Sequence, residues 1–100
     1  MICDNVAQNS EGHLTFAGVD TLTLAKKYGT PLYLMDENKI SEHMRSYKTA
    51  MEKHFPEGSM PFYASKALSF KEIYRIVKDE GMAIDVVSGG EIYTAKEAGF

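Results

Sequence analysis

One cysteine, no tryptophan and only three prolines occur among the 100 residues, and 11 Lys+Arg stand against 14 Asp+Glu for a formal charge of -3. A lone thiol, Cys3, excludes an internal disulfide framework and a thiolate metal cluster, and its place near a terminus suits a free thiol. Without a basic surplus the chain has little to neutralise phosphates, so nucleic acid is not an expected partner and small molecules or proteins are. No apolar run approaches the roughly 18 residues that span a bilayer, and Met1-Ile2-Cys3-Asp4-Asn5 lacks the basic and then apolar regions of a secretory signal. A cytoplasmic protein with no membrane partner is expected. With 44% hydrophobic and 25% charged residues, disorder and collagen-like structure are also excluded.

Up to Gly12 the sequence is polar and aperiodic, as in a frayed terminus or lead-in loop. His13-Leu14-Thr15-Phe16 alternates as a short strand does, with a pairing partner expected elsewhere. Asp20 can cap a short helix carrying Leu22, Ala25 and Tyr28, which Gly29 and Thr30-Pro31 would stop.

From Pro31 onward a short apolar run and an amphipathic segment follow one another three times. The runs Pro31 to Met35, Pro61 to Ser65 and Ala83 to Val87 are rich in Tyr, Phe, Val and Ile and read as buried strands. Ile40, Met44, Tyr47, Met51 and Phe55 recur at steps of three or four, which predicts a helix capped by Asp36 and ended by Pro56-Glu57-Gly58. His43 and His54 have no partners at metal-ligand spacing and read as surface histidines, so no metal is inferred. A second helix is predicted to open on a Ser69/Glu72 capping box, with Phe70, Ile73, Ile76 and Val77 as its buried face. A third opens at Ser88-Gly89-Gly90-Glu91 and carries Ile92, Ala95 and Ala98.

Strands joined by helical crossovers run parallel, with their C-terminal ends along one rim, where α/β folds place chemistry. Three such strands leave two edges and one face uncovered. The expected architecture is therefore part of a larger (β/α) barrel, with residues 1–30 as lead-in and 31–100 as its first three β/α units.

Lys66, in Phe62-Tyr63-Ala64-Ser65-Lys66-Ala67, falls at the end of an apolar strand with the parity of Phe62 and Ala64. An amine desolvated there can attack an aldehyde and form a Schiff base, although a strand-end lysine can equally extend to water. Asp85 ends the next run, and adjacent parallel strands about 4.8 Å apart would bring it within reach of Lys66, as a functional or a purely structural ion pair. Glu91 follows two glycines at a helix start that favours anions, but Ser-x-x-Glu is also an ordinary capping box.

In this order and spacing, Gly29-Thr30-Pro31-Leu32-Tyr33, Tyr63-Ala64-Ser65-Lys66-Ala67 and Asp85-Val86-Val87-Ser88-Gly89-Gly90-Glu91 resemble the start of the diaminopimelate decarboxylase family. That family belongs to the alanine-racemase-like group of pyridoxal-5'-phosphate (PLP) enzymes. The likeness runs from about His13 to Phe100. It implies a PLP-binding (β/α)8 TIM barrel with a separate β-rich domain, to which the segment around His13 to Phe16 would contribute a strand. By the same resemblance Lys66 bonds PLP covalently, and Asp85 and Glu91 belong to the cofactor pocket. Alanine racemases continue differently after the lysine, with a Tyr-Gly-His-Gly-type stretch where Leu68-Ser69-Phe70 stands here. Ornithine- and arginine-type decarboxylases share the fold, but Ser88-Gly89-Gly90-Glu91 favours the diaminopimelate branch.

The expected activity is decarboxylation of meso-diaminopimelate to L-lysine by a homodimer with shared sites. Its rivals are a related PLP-dependent decarboxylase of basic amino acids, a non-catalytic PLP-binding barrel protein and an isolated structural or interaction module. The family's phosphate loop, its partner for the pyridine nitrogen and its substrate-reading residues have no counterpart before Phe100. These hundred residues are therefore expected to be inactive by themselves.

Overall fold

The structure, a computed structural model, describes residues 3–100 and divides at Asp36 into two compact units. In the first, β1 (Val6–Gln8), β2 (Leu14–Phe16) and β3 (Val19–Asp20) form an antiparallel sheet in the order β1-β2-β3. Val6 pairs with Phe16 and Gln8 with Leu14, so the partner of the His13–Phe16 strand lies in the stretch expected to be frayed. Polar composition concealed β1 because two of its three side chains face solvent, while backbone pairing needs no apolar residue. Asn9 makes the connection: its Oδ1 accepts from the N–H groups of Glu11 and His13, a side-chain substitute for a backbone turn.

The β2–β3 hairpin turns through Ala17 and Gly18, both with positive φ, as the right-handed twist of tight hairpins favours. α1 (Thr21–Tyr28) follows directly. Asp20 caps it as expected, with Oδ1 accepting from the N–H of Leu22 at 2.8 Å and of Thr23 at 3.4 Å. Gly29 (φ 84, ψ -179) ends it in a conformation open essentially to glycine alone.

The first expected barrel strand is not formed. Residues 31–35 join no ladder among the described residues, and Tyr33 is 96% exposed. An apolar run becomes a strand only when a neighbouring backbone accepts its hydrogen bonds, and Pro31 has no N–H to offer. The β/α alternation within this chain is thus carried by two parallel strands rather than three.

In the second unit α2 (Glu37–His54) precedes β4 (Phe62–Ala64), a 3-10 turn (Ser65–Ala67), α3 (Lys71–Asp79), β5 (Ala83–Asp85) and α4 (Gly89–Glu97). β4 and β5 pair in parallel, with Phe62 opposite Ala83 and Ala64 opposite Asp85. Met44 of α2, Ile73, Tyr74, Ile76 and Val77 of α3, Met82 and Ala95 form the core, against which Ile40, Tyr63, Ile84 and Ala98 pack. Each fully buried aliphatic side chain contributes roughly 1.5–3 kcal/mol.

Two helix details depart from the sequence expectation. The cap of α3 is Phe70, with no side-chain cap bond, and Ser69 instead shares a 2.7 Å hydrogen bond with the Tyr74 hydroxyl. Phe70 is 39% exposed while Tyr74 is fully buried. A phenol with a hydroxyl partner can take the core position, and that spends the serine expected to cap. Of the stripe expected along α2 only Met44 is buried, while Tyr47 and, just past the helix, Phe55 are exposed.

Candidate active site

Alternation along β4 sorts its side chains. Tyr63 packs on the core and Ser65 is fully buried, whereas Phe62 and Ala64 are exposed on the other face. Asp85 is opposite Ala64 and shares its exposure. Lys66 is exposed too, but not by strand parity: β4 ends at Ala64, and the 3-10 turn carries Lys66 out beyond the ladder. The burial expected to desolvate the amine is not supplied by the described residues.

Hydrogen bonds hold the turn at both ends. Ser65 Oγ donates to the Asp85 carbonyl at 2.6 Å, and Tyr63 OH donates to the Leu68 carbonyl at 2.9 Å. Within it, the Leu68 N–H reaches the Ser65 carbonyl at 3.2 Å. Burial, and then the neighbouring Tyr74, push the Tyr63 phenol above its ordinary range, so it keeps the proton it donates. Lys66 itself has no hydrogen-bond or ion-pair partner among the described residues, and neither does the Asp85 carboxylate. The expected contact between the two is therefore absent: Lys66 leaves from the turn, past the residue that pairs with Asp85.

Glu91 is spent at the helix start. Ser88 caps α4 by accepting from the Glu91 N–H at 3.2 Å, and a Glu91 carboxylate oxygen accepts from the Val87 N–H at 2.6 Å. This is the capping-box arrangement shifted by one residue, and it stiffens the loop after β5. Ser65 and Tyr63 escaped notice in the sequence, although the inward parity of both on a strand end pointed to them.

Elsewhere in the second unit two arginines hold most of the paired carboxylates. Arg45 grips Glu80 with two hydrogen bonds of 2.8 and 2.6 Å, and Arg75 joins Glu37, Glu72 and Asp79. Their carboxylate partners Glu80 and Glu72 are held below their ordinary range chiefly by these hydrogen bonds. In the first unit, Glu11, His13 and Asp20 bring ligand-type atoms within 4.8 Å of one another. There Asp20 already accepts from Asn9, Leu22 and Thr23 and lies 2.8 Å from His13 Nδ1, so the cluster serves the start of α1. His43 and His54 are exposed on α2. No helix among the described residues is long and apolar enough to cross a membrane.

A primary amine without a partner, exposed on the turn that follows a strand whose neighbour ends in an unpartnered carboxylate, has the donor chemistry to bond an aldehyde cofactor. PLP is such an aldehyde, and the residues present fit it.

Comparison with known proteins leads to the same chemistry. Residues 37–100, which include Lys66, Asp85 and Glu91, match the family described as pyridoxal-dependent decarboxylase, pyridoxal binding domain. The diaminopimelate decarboxylase of Bacillus subtilis is 48% identical over 93 residues, covering 93% of this chain and 21% of the relative. That of Bacillus methanolicus is 47% identical over 92 residues, covering 92% and 21%. The crystal structure of diaminopimelate decarboxylase from M. jannaschii in co-complex with L-lysine is similar with a TM-score of 0.81 and 38% identity, over 95% of this chain and 22% of that one. The chain spans about a fifth of the length of these relatives. Its α/β fold is that of a portion of the PLP barrel enzymes, and the chain belongs to the pyridoxal-dependent decarboxylases, whose cofactor is pyridoxal phosphate.

Proposed function

We propose that the whole protein decarboxylates meso-diaminopimelate to L-lysine and CO2, with PLP bonded to Lys66. The observation that carries this reading is the Lys66 amine, unpartnered at the end of β4, in a chain so similar to diaminopimelate decarboxylases. Lysine in the M. jannaschii structure fits it chemically, since replacing one carboxylate of diaminopimelate by hydrogen leaves lysine.

The chemistry that PLP would supply when bound is an electron sink for the pair left behind as the α-carboxylate departs. Lys66 would hold the cofactor through Nζ, and with that nitrogen free it would carry a proton within reach of the substrate's α-carbon. Asp85, at the end of the neighbouring strand, would offer a carboxylate to a cationic nitrogen of the bound ligand. Glu91 holds the Val87 N–H and so fixes the entry to α4, where Gly89 and Gly90 of the first turn leave room for a ligand. The family resemblance also supports a cytoplasmic homodimer with shared sites.

The test is CO2 release by the full-length protein from meso-diaminopimelate, ornithine, arginine and lysine in turn. Release from diaminopimelate, with much slower turnover of the others, is the expected result. Preference for ornithine or arginine would assign a sister activity, and no release from any of them by the PLP-loaded protein would leave a carrier of the cofactor.

A further inference from the structure

The ladder between β4 and β5 ends at the Ala64–Asp85 pair, so Lys66 lies where backbone pairing no longer fixes the chain. Two side chains take over. Ser65 is 0% exposed, and its hydroxyl has crossed to the other strand to reach the Asp85 carbonyl at 2.6 Å. At the far end of the turn the Tyr63 hydroxyl, from two residues before Ser65, reaches the Leu68 carbonyl at 2.9 Å. The second bond is braced from below, since Tyr74, also 0% exposed, packs in the same core and binds Ser69.

We propose that Ser65 and Tyr63 are positioning residues for Lys66, clamping both ends of its turn so that the amine is presented at a fixed place relative to Asp85. Ser65 is the stronger half of the clamp. Its partner is the carbonyl of the residue whose carboxylate shares the rim, so one hydrogen bond fixes the lysine turn and the Asp85 backbone together. The amine is the end of a flexible four-carbon stem, and only its backbone anchor can be made rigid before a ligand arrives. A slackened anchor misplaces the reacting nitrogen, and a misplacement of about 1 Å can cost on the order of a hundredfold in rate.

This inference rests on Lys66 being the PLP-bonding residue, and its test separates the two ideas. Full-length wild type, Ser65→Ala and Tyr63→Phe would be freed of cofactor and remixed with PLP. Three readouts follow: the rate of borohydride-trappable label at Lys66 by peptide mapping, the visible circular dichroism of the bound cofactor, and the far-ultraviolet spectrum. Failure of the wild type to label at Lys66 overturns the underlying reading and this one with it. With wild-type labelling in place, the clamp predicts Ser65→Ala labelling slowed roughly tenfold or more. It also predicts an altered visible dichroic band, an unchanged far-ultraviolet spectrum, and a smaller change of the same kind in Tyr63→Phe. Should Ser65→Ala fail to fold, Tyr63→Phe decides alone, since it keeps the ring that packs and loses only the hydroxyl. Wild-type rate and dichroism in the folded variants would overturn the proposal, because a merely structural hydroxyl would alter stability and leave the cofactor's asymmetry intact.

Discussion

The His13/Asp20 cluster of the first unit and the Lys66/Asp85 rim of the second contain similar chemistry, a basic group near a carboxylate, and put it to opposite uses. Asp20 accepts from Asn9, Leu22 and Thr23 and touches His13 at 2.8 Å. Asp85 ends β5 and Lys66 lies on the turn just past the end of β4, yet their charged atoms bind nothing among the described residues. Polar groups that close on one another build structure, whereas polar groups held in place but left open can act on a ligand. The rim is held by its backbone, through Ser65 and Tyr63, and not by its charges.

If that contrast is right, substitutions at the rim should cost chemistry and not stability, with the reverse in the first unit. The largest effect is expected from Lys66→Ala, which on the proposed function removes both the cofactor bond and a proton carrier. CO2 release should fall by roughly a thousandfold or more, given that proton transfer alone typically contributes 10²–10⁴-fold. The melting temperature of the cofactor-free protein should hardly move, because exposed substitutions of this kind usually stay within about 0.5 kcal/mol.

Beneath the rim, Ile73→Ala in the core should destabilise the second unit by about 2–5 kcal/mol, read from denaturant unfolding. Activity per folded molecule should survive. Asp85→Asn should lower turnover by about a hundredfold at unchanged stability, as loss of one preorganised electrostatic group does. A stability loss as large as that of Ile73→Ala would show that Asp85 is structural after all.

In the first unit the contrast is sharpened by pH. The His13 hydrogen bond is the main influence lowering Asp20, with burial opposing it and the Leu22 and Thr23 N–H groups helping. A carboxylate depressed in the folded state contributes stability that is fully present above the ordinary aspartate range and is lost as pH falls through its lowered value. The melting-temperature gap between wild type and Asp20→Ala should therefore be widest near neutral pH and shrink on acidification. A gap independent of pH would remove the charge from the cap. The smallest effect is expected at Ala17, whose φ of 50 suits an Asn better. Ala17→Asn should stabilise the hairpin by a few tenths to about 1 kcal/mol and leave turnover alone.

What could be read from the sequence followed how local each determinant is. Asp20 as a cap, Gly29 as a stop, Ser88 at the start of α4 and the helix over 37–54 depend on neighbours a few residues away. β1 and the missing strand at 31–35 depend on who pairs with whom, which an apolar or polar run does not state. Phe70 and Tyr74 exchanged places because their helix offered two aromatic residues for one core position, and only Tyr74 found a hydroxyl partner. At the site, Lys66 and Asp85 were legible as charges at the ends of apolar runs. The hydrogen bonds that hold them, from Ser65 to a carbonyl twenty residues away and from Tyr63 to Leu68, were not, since one needs the strand register and the other the 3-10 turn.

The account is tested most directly by reducing the PLP-loaded full-length protein with borohydride and locating the label by peptide mass mapping. One phosphopyridoxyl group on Nζ of Lys66 is the predicted result. A label on any other lysine, or a protein that binds PLP and carries no reducible bond at all, would contradict it.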